Sequence, residues 1–113
     1  RIPTMVFDEI DTGIGGRTAQ AVAEKLLLLG LSHQVICVTH LPQIASMADR
    51  HYYIEKKTVA DRTIVEVRAL EEKERVEELA RMLGGAEVTA TTREHAQEML
   101  LLAASVRASK SGR

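Results

Sequence analysis

Two short apolar runs without polar alternation, joined by one helical segment, constrain the fold more than any other feature. The first run is Thr4 to Phe7 and the second is Gln34 to Thr39. Such runs are typical of strands buried on both faces, as in a parallel sheet covered by helices. Between them, residues 17 to 31 carry apolar side chains at helical spacing and predict a helix. Leu27, Leu28 and Leu31 widen its apolar face near the C-terminal end, so we expect this end to be buried on more than one side. The strand–helix–strand order implies a right-handed parallel crossover.

The middle of the chain predicts a short helix and an antiparallel hairpin. Pro42 can occupy the first turn of a helix that runs to about Asp49. Tyr52 to Lys57 and Thr63 to Ala69 alternate better than the first two runs and predict paired antiparallel strands with one wetter face. The segment between these strands is about five residues long.

Two helices close the chain. The first ends at Gly84-Gly85 and the second begins at a capping-box pattern of Thr91 with Glu94. Their apolar stripes are Val76, Leu79, Ala80 and Leu83 in the first, and Ala96, Met99, Leu100 and Ala103 in the second. The predicted order is therefore β-α-β-α-β-β-α-α, an α/β class with an antiparallel addition. Because two parallel strands do not make a doubly wound sheet, we expect the chain to be part of a larger unit.

Composition excludes several classes of protein. The 113 residues, 45% of them hydrophobic and 27% charged, correspond to one small globular domain rather than a disordered chain. A net charge of −1, with two Tyr, one Phe and no Trp, offers neither the basic footprint nor the aromatic platform of a nucleic-acid reader. No apolar run approaches the length of a membrane span. The single cysteine, Cys37, cannot form an internal disulfide, which fits a reducing cytoplasm.

Polar residues follow both apolar runs, where the predicted strands end. Asp8 and Glu9 follow the first strand, and His40 follows the second. Ligands of open α/β sheets bind at the carboxyl ends of the strands, so we expect the three residues to share one edge. One carboxylate of the pair can reach a hydrated Mg²⁺ while the other contacts a water, and an imidazole can donate to a phosphate oxygen or position a water. Taken singly, each is more often a solvated or hydrogen-bonded loop residue.

The glycine-rich turn from Gly13 to Gly16 matches neither the P-loop nor the G-x-G-x-x-G pattern, and a flexible strand-to-helix turn is its simpler interpretation. The remaining histidines, His33, His51 and His95, have no partners at metal-ligand spacing, and Cys37 lies within a strand. We interpret these four residues as structural.

Three motifs, in this order, resemble those of ABC-type ATPases. Residues 5 to 9 resemble a Walker B strand, residues 11 to 16 resemble the D-loop, and Thr39-His40 resembles the switch-histidine motif. The strings around them, residues 7 to 19 and 38 to 45, closely resemble the C-terminal part of the RecN family of bacterial SMC-like DNA repair ATPases.

The resemblance continues through residues 75 to 85 to the helix around His95, which is nearly the whole chain. It implies that residues 1–113 are the C-terminal lobe of an ATPase head with a partial P-loop NTPase fold. The Walker A loop and the ABC signature would then lie in an N-terminal lobe upstream, and the isolated chain would be inactive. A RecN-like protein would be cytoplasmic and nucleoid-associated, without membrane contact, and would act in double-strand-break repair.

The same resemblance implies roles for single residues in binding and hydrolysing ATP with Mg²⁺. Asp8 would help to hold the metal through water, and Glu9 would be the general base or would position the water. His40 would sense or stabilise the γ-phosphate. The implied cofactor-binding residues are Asp8, Asp11, Gly13 and Gln43. The loop of Asp11 would communicate with a second head in an ATP-dependent dimer, and the full-length protein would hold DNA.

Two interpretations from other classes stay open. The chain can be a non-catalytic α/β nucleotide-binding or interaction module that docks on an ATPase and keeps the Asp-Glu pair as a metal-binding remnant. It can also be a free-standing regulator that docks on an ATPase, which predicts a well-folded monomer. ATP turnover by the chain together with its upstream lobe separates the first of these from the ATPase.

Overall fold

The computed structural model describes residues 3–8, 16–85 and 87–110. Its elements follow the predicted order, with β1 and β2 paired in parallel and β3 and β4 paired antiparallel. They are β1 (Thr4–Asp8), α1 (Gly16–Leu29), β2 (Gln34–Val38), α2 (Pro42–Ala45), β3 (Tyr52–Val59), β4 (Arg62–Ala69), α3 (Glu72–Gly84) and α4 (Ala90–Lys110). The mixed α/β class predicted from the sequence is therefore confirmed. In the described part of the chain, none of the helices is both long and apolar enough to cross a membrane.

The parallel pair is covered on one face only, so the prediction of burial on both faces is half correct. Cys37 packs against side chains of α1, and its neighbours on the same face are half-buried. The opposite face, which we call the outer face of the parallel pair, consists mainly of Val6, Ile36 and Val38, at 66%, 48% and 41% exposure. These three remain exposed because no part of the described chain packs over them.

Helix α1 ends two residues earlier than predicted. Its last turn tightens, since the Leu31 N–H donates to the Leu28 carbonyl and the Ser32 N–H to the Leu29 carbonyl. Leu27 packs against the core, but Leu28 and Leu31 are 41% and 54% exposed, so this end is buried on one side rather than on more than one within the described chain. The buried side of α1 consists of Ala19 and Ala23 with their half-buried neighbours.

The hairpin has a tighter turn than predicted. Only Ala60 and Asp61 connect β3 to β4, because Val59 pairs with Arg62. Both turn residues have positive φ, 50° and 63°, as in a type I′ turn, whose twist matches that of the flanking strands. The expected five-residue link is therefore wrong.

The two faces of the hairpin differ in chemistry. One carries Tyr53 and Arg68 toward α3, where Arg68 forms an ion pair with Glu74. The other, which we call the outer face of the hairpin, carries Tyr52, Ile54, Val65 and Val67, which are 49% to 62% exposed. The predicted antiparallel pairing is confirmed, but the charged face is the one that lies toward α3, and the apolar face is exposed within the described residues.

The core lies among the helices. Leu79 and Ala80 of α3 pack with Ala96 of α4 and are fully buried, which confirms the predicted stripes. Helix α2 joins two clusters, since Ala45 belongs to this one while Ile44 packs with Ala23 and Ala103. Helix α2 ends at Ala45, so the predicted run to Asp49 is too long. Beyond Ala45 the chain continues to Ala48 as a tighter turn with i→i+3 hydrogen bonds. The other side of α4 leaves Leu101 and Leu102 exposed.

The helix ends confirm one sequence signal and correct another. Helix α3 ends at Gly84 and is followed by Gly85 at a φ of 76°, as the glycine pair predicts. Helix α4 is capped by Thr89 and not by the predicted pair of Thr91 and Glu94. The Thr92 N–H donates to Thr89 Oγ1 at 3.2 Å, and the Thr89 N–H donates to Thr92 Oγ1 at 2.9 Å. The reciprocal pair is therefore Thr89 with Thr92, two residues before the predicted pair, and the Thr92 side chain takes the place of the usual Glu.

Candidate functional site

The ends of the two parallel strands bring Asp8 and His40 to one edge of the sheet. Asp8 is level with Val38 in the strand register, and His40 follows two residues later. Both residues are exposed. The sequence-based expectation that these polar residues share one edge is therefore confirmed for Asp8 and His40. Glu9, Asp11 and Gly13 lie outside the described residues.

The backbone after His40 turns directly into α2. The Leu41 N–H donates to Thr39 Oγ1 at 3.0 Å, which closes a small turn around His40. The Leu41 carbonyl then accepts from the N–H groups of Ile44 and Ala45, both at 3.1 Å. Pro42 at the first helical position requires no hydrogen-bond acceptor. His40 is thus held at the beginning of a continuous hydrogen-bonded turn.

Gln43, the last predicted binding residue, lies in α2 and is half-buried. Its Oε1 atom is buried and accepts no hydrogen bond from the described residues. A buried amide oxygen without a donor is costly, so a donor from outside the described residues would stabilise it.

An arginine that the sequence analysis missed holds the other end of the α2 turn. Arg75 of α3 is 7% exposed, and its guanidinium donates to the carbonyls of Ala45 and Ser46 at 3.1 and 3.3 Å, and to that of Ala48. Burial, together with the positive charge of Arg107, lowers the pKa of Arg75. The only signal for this burial is position, since Arg75 precedes Leu79 by four residues on the apolar stripe.

A cleft of about 260 Å³ lies beside Arg75, between the end of α2 and the hairpin. His51 lines it, and burial and the charge of Arg75 lower the pKa of this imidazole, which Glu78 partly offsets. Asp49 and Glu72 line it as well. The cleft therefore carries both signs of charge and favours neither anions nor cations. No role for His51 beyond the structural one follows from it.

The ligand atoms available at the strand edge are of the type that Mg²⁺ prefers. Asp8 offers carboxylate oxygens, the ligand type that Mg²⁺ prefers, and Mg²⁺ commonly keeps several waters beside one or two carboxylates. No group of three His, Cys, Asp or Glu side chains in the described ranges could hold a metal ion alone. An exposed carboxylate with water is thus the arrangement that this part of the chain can provide.

These features define a class. The chain is a mixed α/β segment that presents an acidic residue and a histidine at the carboxyl ends of adjacent parallel strands, where open α/β proteins bind ligands. The outer faces of its strands lack cover in the described structure.

Sequence comparison identifies the family. No family model matches the chain. It is 53% identical over 106 residues to the DNA repair protein RecN of Halalkalibacterium halodurans, a match that covers 94% of this chain and 19% of the relative. Identity to RecN of Bacillus subtilis is 48% over 99 residues, or 88% of this chain and 17% of the relative. RecN of Deinococcus radiodurans is 51% identical over 98 residues, or 87% and 17%.

The chain belongs to the RecN family. It spans about a fifth of the length of the curated relatives that it matches, and the match lies at their C-terminal end.

Proposed function

We propose that this chain is the C-terminal lobe of an ABC-type ATPase head in a RecN-type DNA repair protein. The observation that carries the proposal is the placement of Asp8 and His40 at one edge of the parallel pair. The relatives, which carry the name DNA repair protein, support the biological role. In this proposal, ATP-driven engagement of two heads controls how the whole protein holds DNA during double-strand-break repair.

The strand-end residues divide the chemistry of phosphoryl transfer. Asp8 would hold Mg²⁺ through water, and the metal, when bound, would supply positive charge to the phosphate oxygens. Glu9 accepts a proton from the attacking water, and His40 donates a hydrogen bond to the γ-phosphate. Phosphoryl transfer depends mostly on positioning and charge stabilisation, so residues from separate lobes can complete one site.

The uncovered strand faces support an N-terminal lobe as the partner. Parallel strands are nearly always buried on both faces, but Val6 and Ile36 of the parallel pair are exposed here. The outer face of the hairpin adds a second apolar surface of the kind that marks an interface. The N-terminal lobe covers these faces in our proposal, and it brings the Walker A loop to the edge that carries Asp8. Asp11, Gly13 and Gln43 bind nucleotide or contact a second head.

A pair of substitutions in a full-length RecN that carries this segment tests the proposal. Glu9→Gln keeps the side-chain volume but removes the base, so we expect ATP turnover to fall about 10²- to 10⁴-fold while nucleotide binding persists. Asp8→Asn weakens the metal contact, so Mg²⁺-dependent nucleotide binding itself should fall. Steady-state turnover and fluorescent-nucleotide titration with and without Mg²⁺ measure both effects.

The matched control is Asp61→Asn, which makes the same change in the exposed hairpin turn and should leave both measurements unchanged. Parental turnover in Glu9→Gln would contradict the catalytic role. The same result together with intact ATP binding in Asp8→Asn would favour the non-catalytic module.

A further inference from the structure

We propose that Arg75 is a positioning residue for His40, acting through the α2 turn; this inference rests on the proposed role of His40 in ATP hydrolysis. Arg75 belongs to α3, whereas His40 lies between β2 and α2, at the beginning of the α2 turn.

The guanidinium of Arg75 is buried, and no carboxylate of the described residues forms an ion pair with it, although Asp49 and Glu72 line the same cleft. Its bonds go to three backbone carbonyls, those of Ala45, Ser46 and Ala48, and its Nε is buried without a hydrogen-bond partner among the described residues. A buried charge is expensive, and an apolar residue of similar volume is often tolerated or even stabilising in its place. The gain that keeps an arginine here is directional, because the carbonyls of all three residues converge on one nitrogen, Nη2, whose hydrogens they share.

Those carbonyls end the turn that His40 begins. The backbone N–H groups of residues 44 to 48 each donate to a carbonyl three or four residues earlier. Among these bonds, the Ala45 N–H donates to the Leu41 carbonyl at 3.1 Å and the Ser46 N–H to the Pro42 carbonyl at 2.9 Å. A four-residue helix cannot fix its own ends, since its terminal N–H and C=O groups lack intrahelical partners. Arg75 supplies the partners at the C-terminal end.

A second arginine secures the same stretch from α4. Nη1 of Arg107 donates to the Met47 carbonyl at 3.4 Å, and Nε of Arg107 lies 3.3 Å from Oδ1 of Asp49 in an ion pair. Ile44 and Met47 are meanwhile buried among the side chains of α1 and α4. The turn is therefore fixed at its end by α3 and α4, while its beginning, at His40, follows directly on the end of β2.

Kinetics of a full-length RecN that carries this segment test the proposal. Arg75→Met keeps the length of the side chain and removes its donors, so the turn should shift and kcat for ATP should fall about ten- to hundredfold, the cost of a small misplacement. KM for ATP should change less than about threefold, because the effect falls on the chemical step. Arg81→Met is the matched control, since Arg81 lies on the same helix in an exposed ion pair with Glu78, and it should leave kcat within about twofold.

A double-mutant cycle with His40→Ala separates positioning from general stability. If Arg75 acts through His40, adding Arg75→Met to His40→Ala should change kcat by less than about twofold. A full multiplicative loss in the double variant would overturn the positioning role while leaving the proposed function intact. Parental turnover in His40→Ala would instead remove the proposed role of His40, and the inference with it.

Arg75→Lys keeps the test decisive where the methionine variant does not fold. Lysine retains the charge and can donate to part of the carbonyl set, so kcat should lie between those of the parent and Arg75→Met, with the same dependence on His40. A kcat in Arg75→Lys equal to that of the parent, or a loss independent of His40, would contradict the inference.

Discussion

The helical region around α2, α3 and α4 is closed, whereas the two strand pairs are open. In the helical region Leu79, Ala80 and Ala96 are fully buried, and even a charged residue, Arg75, is enclosed. In the strand pairs, by contrast, eight valines and isoleucines of the described residues are 41% to 66% exposed, Val67 at 62% among them. The difference shows that α2, α3 and the inner side of α4 pack against one another, whereas the outer strand faces, like Leu101 and Leu102 on the other side of α4, find no cover among the described residues.

The largest test of this contrast compares two apolar deletions. Leu79→Ala should lower the free energy of unfolding by about 2–5 kcal/mol, because it leaves a cavity in a packed core. Val67→Ala, on the outer face of the hairpin, should cost less than about 1 kcal/mol in the chain alone. Urea denaturation followed by circular dichroism measures both. Equal losses at the two sites would contradict the division into closed and open regions.

The cap of α4 gives a smaller test within the closed region. Thr89→Ala should cost about 1 kcal/mol, because Thr89 Oγ1 accepts the Thr92 N–H at the helix start. Thr91→Ala is the matched control. Its free energy of unfolding should stay within about 0.5 kcal/mol of the parent, since Thr91 is an exposed residue two positions after the capping Thr89. The reverse order of the two losses would restore the capping box expected from the sequence.

The hairpin turn gives the smallest test, within the open region. Ala60 has a φ of 50°, so Ala60→Gly should relieve strain and raise the free energy of unfolding by about 0.5–1 kcal/mol. Ala69→Gly makes the same change in extended backbone and should lower it by about as much. The difference in sign is the diagnostic, and a loss in Ala60→Gly would argue against the two-residue turn.

The sequence predicts elements well where one short-range rule decides them. The order of all eight elements, the stripe around Leu79 and the stop at Gly84-Gly85 follow from spacing and from glycine. The hairpin link fails because Ala60 and Asp61 lack the Asn-Gly signal of a two-residue turn. The cap fails because Thr92 substitutes for the acidic partner that the pattern requires.

The location of the candidate site is predictable from the sequence, but the contacts that hold its residues in place are less so. Parallel pairing alone places Asp8 and His40 at one edge, and that geometry is confirmed. The hydrogen bonds of Arg75 to the end of the α2 turn join residues about thirty positions apart, so no local sequence pattern predicts them. The exposed faces of the strands are likewise a property of long-range packing, because the apolar pattern of Val6 and Ile36 shows a need for cover but not its source.

Labelling at Ile36 tests the central claim most directly, namely that the open strand faces are covered in the whole protein. In a full-length RecN that carries this segment, with Cys37 replaced by alanine, Ile36→Cys should react with a maleimide at least about tenfold more slowly than in denaturant. Lys73→Cys, an exposed site on α3, should react readily in the native protein and so controls for the reagent. Protection at Ile36 is the expected result, and native labelling as fast as in denaturant would contradict the covered strand faces.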